Sequence, residues 1–148
     1  MTNIRLLVAD DHAVVRQGIR QILNEAPDFD IVREATDGVQ VLQKLRDAQI
    51  DVVVLDLSMP TMSGLEVIKQ IRREFPGVAI LVLSFHSEEQ YAVRVMKAGA
   101  SGYLTKGSEP EELITALRSV SKGRKYVTGT LAERLAVEVE KGTDRLPH

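Results

Sequence analysis

The sequence predicts an α/β protein of (βα)5 organisation, in which helices cover both faces of one doubly wound parallel sheet. Five short runs rich in Val, Ile and Leu recur along the chain, separated by segments with helical spacing. The third and fourth runs, residues 51–56 and 78–83, do not alternate apolar with polar residues, which is typical of strands buried on both faces. Strands that alternate with helices in this way form parallel sheets.

The strands and helices can be assigned in order along the chain. The five runs predict strands at residues 4–9, 29–35, 51–56, 78–83 and 102–105. After the first, third and fifth runs, apolar residues recur every three or four positions, as one face of a helix requires. These residues are Val15, Ile19 and Ile22, then Leu65, Ile68 and Ile71, then Ile114, Leu117 and Val120. We expect these faces to pack on the sheet.

Capping and turn residues mark where helices begin and end. Residues 87–90 and 108–111 both fit the capping-box pattern, in which a serine caps the helix and an acid or amide three positions later bonds back to it. Gly99 and Gly123 occupy positions where helices are expected to end. Helices with defined starts and ends are therefore predicted on both sides of the fifth strand.

The length and composition fit one globular domain with a short appendage. The chain has 148 residues, of which 44% are apolar and 27% charged, enough for a core and unlike a disordered chain. The βα repeat ends near Gly123, so we predict one domain at residues 1–123. Residues 124–148 are predicted to be a linker, with a short amphipathic helix around Leu135 and Val139 and then a polar tail.

Charge, cysteine content and the length of apolar runs exclude several functions. The formal net charge is −2, so the chain lacks the basic field with which proteins bind nucleic acid. There is no Cys, which excludes disulfides, thiol catalysis and Cys-ligated zinc. The longest apolar run, residues 78–83, is far shorter than the roughly 18 residues that a membrane-spanning helix needs. We therefore expect a cytoplasmic protein that contacts no membrane.

Polar and charged residues follow four of the five predicted strands. Asp10 and Asp11 follow the first strand, Asp56 ends the third, Ser84 follows the fourth and Lys106 the fifth. Ligands of open parallel sheets bind beyond the carboxyl ends of the strands, where the strand order reverses. In the order 2-1-3-4-5 the first and third strands are neighbours, and the three carboxylates would converge.

Three converging carboxylates need compensating positive charge. Two of them about 4 Å apart repel by roughly 4 kcal/mol at an effective dielectric constant near 20. Lys106 offers one positive charge, and a divalent cation would supply the two that are still missing. Because every candidate ligand is an oxygen, Mg²⁺ is favoured. Asp56, beside a flexible loop at residues 58–64, is the best candidate for a nucleophile that forms an aspartyl phosphate.

Taken in order, these residues and their neighbours resemble the receiver domain of bacterial two-component response regulators, over residues 4 to about 122. The matching positions are Asp10-Asp11, Asp56-Leu57-Ser58-Met59-Pro60, Ser84, Tyr103 and Lys106. Two further features, His12 and the run at residues 99–107, are similar to the NarL/FixJ branch, whose members carry a C-terminal helix-turn-helix domain of the LuxR type. The resemblance implies a flavodoxin-like fold with strand order 2-1-3-4-5.

The resemblance also implies how the acidic residues act. Asp56 would accept phosphate from a phosphohistidine on a sensor histidine kinase. Mg²⁺ would be held by Asp11, Asp56 and the backbone carbonyl of Ser58, with Asp10 assisting. The protein would thus be a phosphoacceptor rather than an enzyme, catalysing at most its own phosphorylation and dephosphorylation.

Three residues would respond to the phosphoryl group. The resemblance implies that Ser84 and Lys106 bind its oxygens and that Tyr103 turns inward as the switch residue. Ser84 stands where Thr is commoner in the family. Gly107 stands where the family commonly has Pro after a cis bond, so we expect a trans or strained Lys106–Gly107 bond, because a cis non-proline bond costs about 2.5 to 4 kcal/mol.

The function implied is that of a phosphorylation-dependent response regulator that controls transcription. DNA would be contacted only through a C-terminal domain that is not in this chain. The expected partners are a sensor histidine kinase and a second copy of the protein in a phosphorylation-linked homodimer. A stand-alone receiver without DNA output is an alternative, because it would have the same site.

Other interpretations remain open from the residues alone. A Mg²⁺-dependent phosphatase of the haloacid dehalogenase type also uses an Asp nucleophile, but it needs Asp-x-Asp at a strand's carboxyl end, and residues 28–30 sit at a strand's entry. A flavin or nucleotide module would need a Gly-rich phosphate loop, which is absent. Asp10 and Asp11 could simply cap the first helix. His12 and His86 show no metal-ligand spacing and receive no role.

Overall fold

The structure, a computed structural model, describes residues 3–84 and 89–127. Five strands and five helices alternate along these residues, as the sequence predicts. They are β1 (Ile4–Ala9), α1 (Ala13–Leu23), β2 (Phe29–Ala35), α2 (Gly38–Asp47), β3 (Val52–Asp56), α3 (Gly64–Glu74), β4 (Ala79–Ser84), α4 (Glu89–Ala98), β5 (Gly102–Thr105) and α5 (Pro110–Ser121). All neighbouring strands are parallel, and their order is β2-β1-β3-β4-β5. The predicted flavodoxin-like topology is confirmed.

The core consists of two layers, one on each face of the sheet. Val53 and Leu55 belong to the layer formed with α2, α3 and α4, whereas Val52 and Val54 belong to the layer formed with α1 and α5. Successive side chains of a strand point to opposite faces. Every residue of β3 before Asp56 is therefore apolar, and Asp56 is the last residue at the strand's carboxyl end.

The third and fourth strands each begin one residue later than predicted. Asp51 precedes β3: its carboxylate oxygen Oδ2 accepts a hydrogen bond from the backbone N–H of Arg5 at 2.8 Å, and its own N–H donates to the carbonyl of Arg5 at 2.8 Å. Its backbone carbonyl accepts from Ala79, the first residue of β4, at 3.0 Å. Ser84 is the last residue of β4 and pairs with Thr105. Ser84 is therefore part of β4, whereas the sequence predicts it just after that strand.

The predicted helix ends are partly correct. Gly99 and Gly123 have φ angles of 126° and 84°, the left-handed region that glycine adopts without strain. The capping box at residues 108–111 is wrong, because Glu109 is the N-cap of α5, without a side-chain cap bond, and Pro110 opens the helix. The hydroxyl of Ser108 instead lies 3.2 Å from that of Thr105. The other predicted capping box begins outside the described residues.

After α5 the chain runs beside β5, the last strand in the sheet order. Tyr126 forms an isolated parallel bridge with Gly102, in which its N–H donates to the carbonyl of Ser101 at 2.9 Å and its carbonyl accepts from Tyr103 at 3.1 Å. The helix predicted around residues 135–139 and the tail lie outside the described residues. Within the described ranges no helix is long and apolar enough to cross a membrane.

Candidate functional site

The acidic residues meet where β1 and β3 end side by side. Ala9 is paired with Leu55, so the residues that follow them, Asp10 and Asp56, leave adjacent strands at the same edge. One ligand atom from each of Asp10, Asp11, His12 and Asp56 lies within 4.8 Å of the others. We call these four residues the acidic site. The structure thus brings together the three carboxylates that the sequence predicts to converge.

Lys106 reaches the acidic site from the loop after β5. Its Nζ atom lies 2.8 Å from Oδ2 of Asp10 and 3.4 Å from Oδ1 of Asp56. The three side chains are 5%, 2% and 3% exposed, respectively. Their charges therefore interact with little screening by water. One ammonium against three carboxylates leaves the site short of two positive charges.

Ser58 holds the carboxylate of Asp56 from the β3–α3 loop. Its backbone N–H donates to Oδ1 at 3.1 Å, and its hydroxyl lies 2.9 Å from Oδ1 and 3.1 Å from Oδ2. An Asp side chain that accepts a hydrogen bond from the backbone N–H two residues further on forms an Asx-turn. The family resemblance implies a role only for the carbonyl of Ser58, and the structure adds this hydroxyl contact.

His12 also lies in the acidic site, although its spacing in the sequence is not that of a metal ligand. Its Nδ1 atom lies 3.1 Å from Oδ1 of both Asp10 and Asp11, and its backbone N–H donates to Oδ1 of Asp10 at 2.8 Å. Spacing rules for metal ligands miss His12 because a turn, not a helix, places its imidazole ring beside the two carboxylates. The same contacts show that Asp10 does not cap α1, whose N-cap is His12 without a side-chain bond.

Ser84 lies on β4, next to β3, and Tyr103 lies on β5, one strand further from the site. Ser84 is buried, one residue beyond Leu83, the strand partner of Asp56, and its carbonyl accepts from the N–H of Lys106 at 2.8 Å. Tyr103 is buried in the layer shared with α2, α3 and α4. No cis peptide occurs in the described residues, so the Lys106–Gly107 bond is trans.

The second acidic pair of the sequence lies away from this edge. Asp28 and Asp30 flank Phe29, the first residue of β2, at the entry edge of the sheet. Asp28 is paired with Arg118 at 3.1 Å, and this contact lowers the pKa of Asp28. The acidic site itself has Leu57 and Ser58 after Asp56, not Asp-x-Asp. The arrangement that a haloacid dehalogenase needs is therefore missing from the described residues.

The fold and the acidic site define a class of signalling domain, and the comparisons with known proteins identify it. The response regulator receiver domain family matches residues 6–118, and the chain belongs to that family. It is thus the receiver domain of a two-component response regulator. Response regulator UvrY from Escherichia coli K12 is 40% identical over 141 residues, which cover 93% of this chain and 65% of UvrY. The chain therefore spans just under two thirds of this relative's length.

Solved structures agree with this assignment. A LuxR-family response regulator from Aurantimonas sp. SI85-9A1 is 34% identical with a TM-score of 0.84, covering 93% of this chain and 98% of the other. The isolated REC domain of RcsB from Salmonella enterica, solved with the phosphomimetic BeF3⁻, is 31% identical with a TM-score of 0.81, covering 90% and 99%. RcsB has also been solved as two dimers bound to two parallel DNAs, at 30% identity and a TM-score of 0.83, covering 90% and 68%. These relatives support the NarL/FixJ branch.

Proposed function

We propose that this receiver domain works by accepting a phosphoryl group on Asp56. The observation that carries the proposal is the contact set of that residue: a buried carboxylate at a strand end, 3.4 Å from a buried ammonium and within 4.8 Å of two more carboxylates. The other two acids are less suited. Asp10 already contacts Lys106 and His12, and Asp11 lies at the rim with its side chain 32% exposed.

The transfer needs a donor with a reactive bond to phosphorus, and the phosphohistidine of a sensor histidine kinase has one in its phosphorus–nitrogen bond. A carboxylate oxygen of Asp56 forms the new bond to phosphorus as the phosphorus–nitrogen bond breaks, and the electron pair leaves with the imidazole. Ser58 orients the carboxylate through its N–H and hydroxyl. Lys106 then binds a phosphoryl oxygen, and the Ser84 hydroxyl binds another.

The residues of the acidic site fit Mg²⁺. Its three carboxylates offer hard oxygen donors, and against the single ammonium of Lys106 they lack two positive charges, which one such ion supplies. Asp11, Asp56 and the backbone carbonyl of Ser58 would hold the ion. Asp10, whose two oxygens already contact His12 and Lys106, would assist these three groups in binding the ion. Bound Mg²⁺ would neutralise the oxygens of the transferring phosphoryl group.

Phosphorylation would then act on β4 and β5. We propose that the Ser84 hydroxyl moves toward the phosphoryl group and that Tyr103 fills the space it leaves, as the switch residue. The two are on adjacent strands, since Val82 pairs with Tyr103 and Ser84 with Thr105. A local change of charge would thereby change the surface formed by α4, β5 and α5.

For the whole protein we propose a transcriptional response regulator. A sensor histidine kinase would phosphorylate it, a phosphorylation-linked homodimer would follow, and DNA would bind through a C-terminal domain beyond residues 124–148, which would serve as linker. Support comes from UvrY, which is longer than this chain, and from RcsB, solved as dimers on DNA. A stand-alone receiver is the alternative, and sequencing past His148 decides between them.

The proposal can be tested by the mass of the intact protein. Incubated with acetyl phosphate and Mg²⁺, the wild-type chain should gain the mass of one phosphoryl group, and Asp56→Asn should gain none. Asp30→Asn, an exposed acid at the opposite edge of the sheet, is the matched control and should gain as the wild type does. A gain that persists in Asp56→Asn would exclude Asp56 as the acceptor.

A further inference from the structure

Arg16 of α1 contacts the backbone of the acidic site. Its Nη1 atom donates to the carbonyl oxygen of Asp10 at 2.6 Å, and its Nε atom donates to Oε1 of Glu34 at 2.9 Å. The side chain is 18% exposed. The guanidinium is therefore held between a carboxylate of β2 and the turn that carries the acidic residues.

Glu34 holds the guanidinium of Arg16 in place. It lies on β2 opposite Val8 of β1, and its second oxygen accepts a hydrogen bond from Arg20, one turn further along α1. Burial raises the pKa of Glu34, but the hydrogen bonds and charges of Arg20 and Arg16 outweigh it, and the net pKa is lowered. Glu34 therefore stays ionised at neutral pH.

The backbone of Asp10 is consequently held on both sides. Its N–H donates to the carbonyl of Ala35 at 3.0 Å, which ends the β1–β2 ladder, and its carbonyl is bound by Arg16. Beyond this point the turn through Asp11 and His12 has no strand partner among residues 3–84 and 89–127. Charge-assisted bonds such as the one from Arg16 are the stronger kind of hydrogen bond.

We propose that Arg16 is a positioning residue for cation binding at the acidic site. By fixing the Asp10 carbonyl, it keeps Asp10 and Asp11 in the orientation that a divalent cation requires, so that less reorganisation accompanies binding. Arginine suits the position because its planar fork reaches two acceptors in different directions. The proposal rests on the proposed function, which places Mg²⁺ at this site.

The test compares two arginines that share one carboxylate. Arg16→Met removes the contacts with Glu34 and with Asp10, whereas Arg20→Met removes a contact with Glu34 alone. Mg²⁺ affinity of the full chain is measured by calorimetric titration without phosphodonor. Arg16→Met should lose about tenfold in affinity, as expected for a group that orients a ligand. Arg20→Met should stay within about twofold of the wild type.

A metal-free measurement and a milder variant separate positioning from folding. In nitrogen-15 NMR spectra without Mg²⁺, Arg16→Met should shift the amide signals of Asp11 and His12, and Arg20→Met should not. Should Arg16→Met fail to fold, Arg16→Lys replaces it, and its affinity should also fall because one ammonium cannot serve both acceptors. Equal affinity in the Arg16 variant and the wild type, or equal loss in both methionine variants, overturns the proposal. A wild-type chain that binds no Mg²⁺ instead refutes the proposed metal site itself.

Discussion

The ammonium of Lys106 lies 2.8 Å from Oδ2 of Asp10, although the two residues are 96 positions apart in the chain. The pair joins the loop after the first strand to the loop after the last one, over the end of β3. Both side chains are almost fully buried. Removing one partner of a buried pair leaves the other charge uncompensated, which costs more than the pair itself contributes.

Replacement of Lys106 by Met should therefore destabilise the metal-free protein. We expect the free energy of unfolding to fall by about 3 kcal/mol, because Asp10 and Asp56 lose their shared cation. Urea denaturation in EDTA measures this loss, and added Mg²⁺ should recover much of it. Lys69→Met, at an exposed position of α3, is the control and should change stability by less than about 0.5 kcal/mol. Equal stability of the two variants would contradict the assigned pairing.

Replacement of Asp11 by Asn should have the opposite effect. Asp11 adds a third carboxylate to a site with one ammonium, so its removal relieves repulsion, and we expect a gain of about 1 kcal/mol without metal after allowing for solvent screening. The same variant should bind Mg²⁺ more weakly. Thermal unfolding with and without Mg²⁺ checks both effects. A less stable metal-free variant would mean that the acidic residues do not repel one another.

The stability of the protein should fall in acid partly through Glu34. Its folded pKa lies below its ordinary value, with burial opposed by the bonds from Arg20 and Arg16. The stabilisation is therefore present above the unfolded pKa of about 4.3 and lost as the pH falls through the folded pKa. Urea denaturation between about pH 6 and pH 3 should give a shallower decline for Glu34→Gln than for the wild type. Identical slopes would show that the paired arginines do not stabilise the carboxylate.

Gly102 should not tolerate a side chain. A Cβ atom there would lie 2.9 Å from Cδ1 of Leu81 and 3.1 Å from the carbonyl oxygen of Tyr126, which bridges to this strand. We expect Gly102→Ala to cost about 1 to 3 kcal/mol, as overpacking does. At Gly107 a Cβ would meet nothing within 4 Å, so Gly107→Ala should be nearly neutral. Guanidinium denaturation distinguishes the two, and a neutral Gly102→Ala would show that the chain does not pack on β5 at Tyr126.

Local patterns predicted the helices and strands well because the spacing of apolar residues along the chain indicates which faces are buried. The unbroken apolar run of β3 and the Asp56 that ends it follow from a strand that is covered on both faces and then reaches an edge. Helix caps were less predictable. The serine at position 108 fits the capping pattern, yet Pro110 opens the helix after Glu109, and the hydroxyl is near Thr105 instead.

By itself, the sequence determined the class of fold and the end of the sheet at which three carboxylates and a lysine meet. It could do so because strand periodicity and strand ends depend on neighbouring residues. Only the tertiary structure decided which atoms meet: the imidazole of His12 on two carboxylates, the hydroxyl of Ser58 on Asp56 and the guanidinium of Arg16 on the Asp10 carbonyl. All three contacts join residues at most six positions apart, and they depend on the geometry of the turns after β1 and β3, which hydrophobic spacing does not specify.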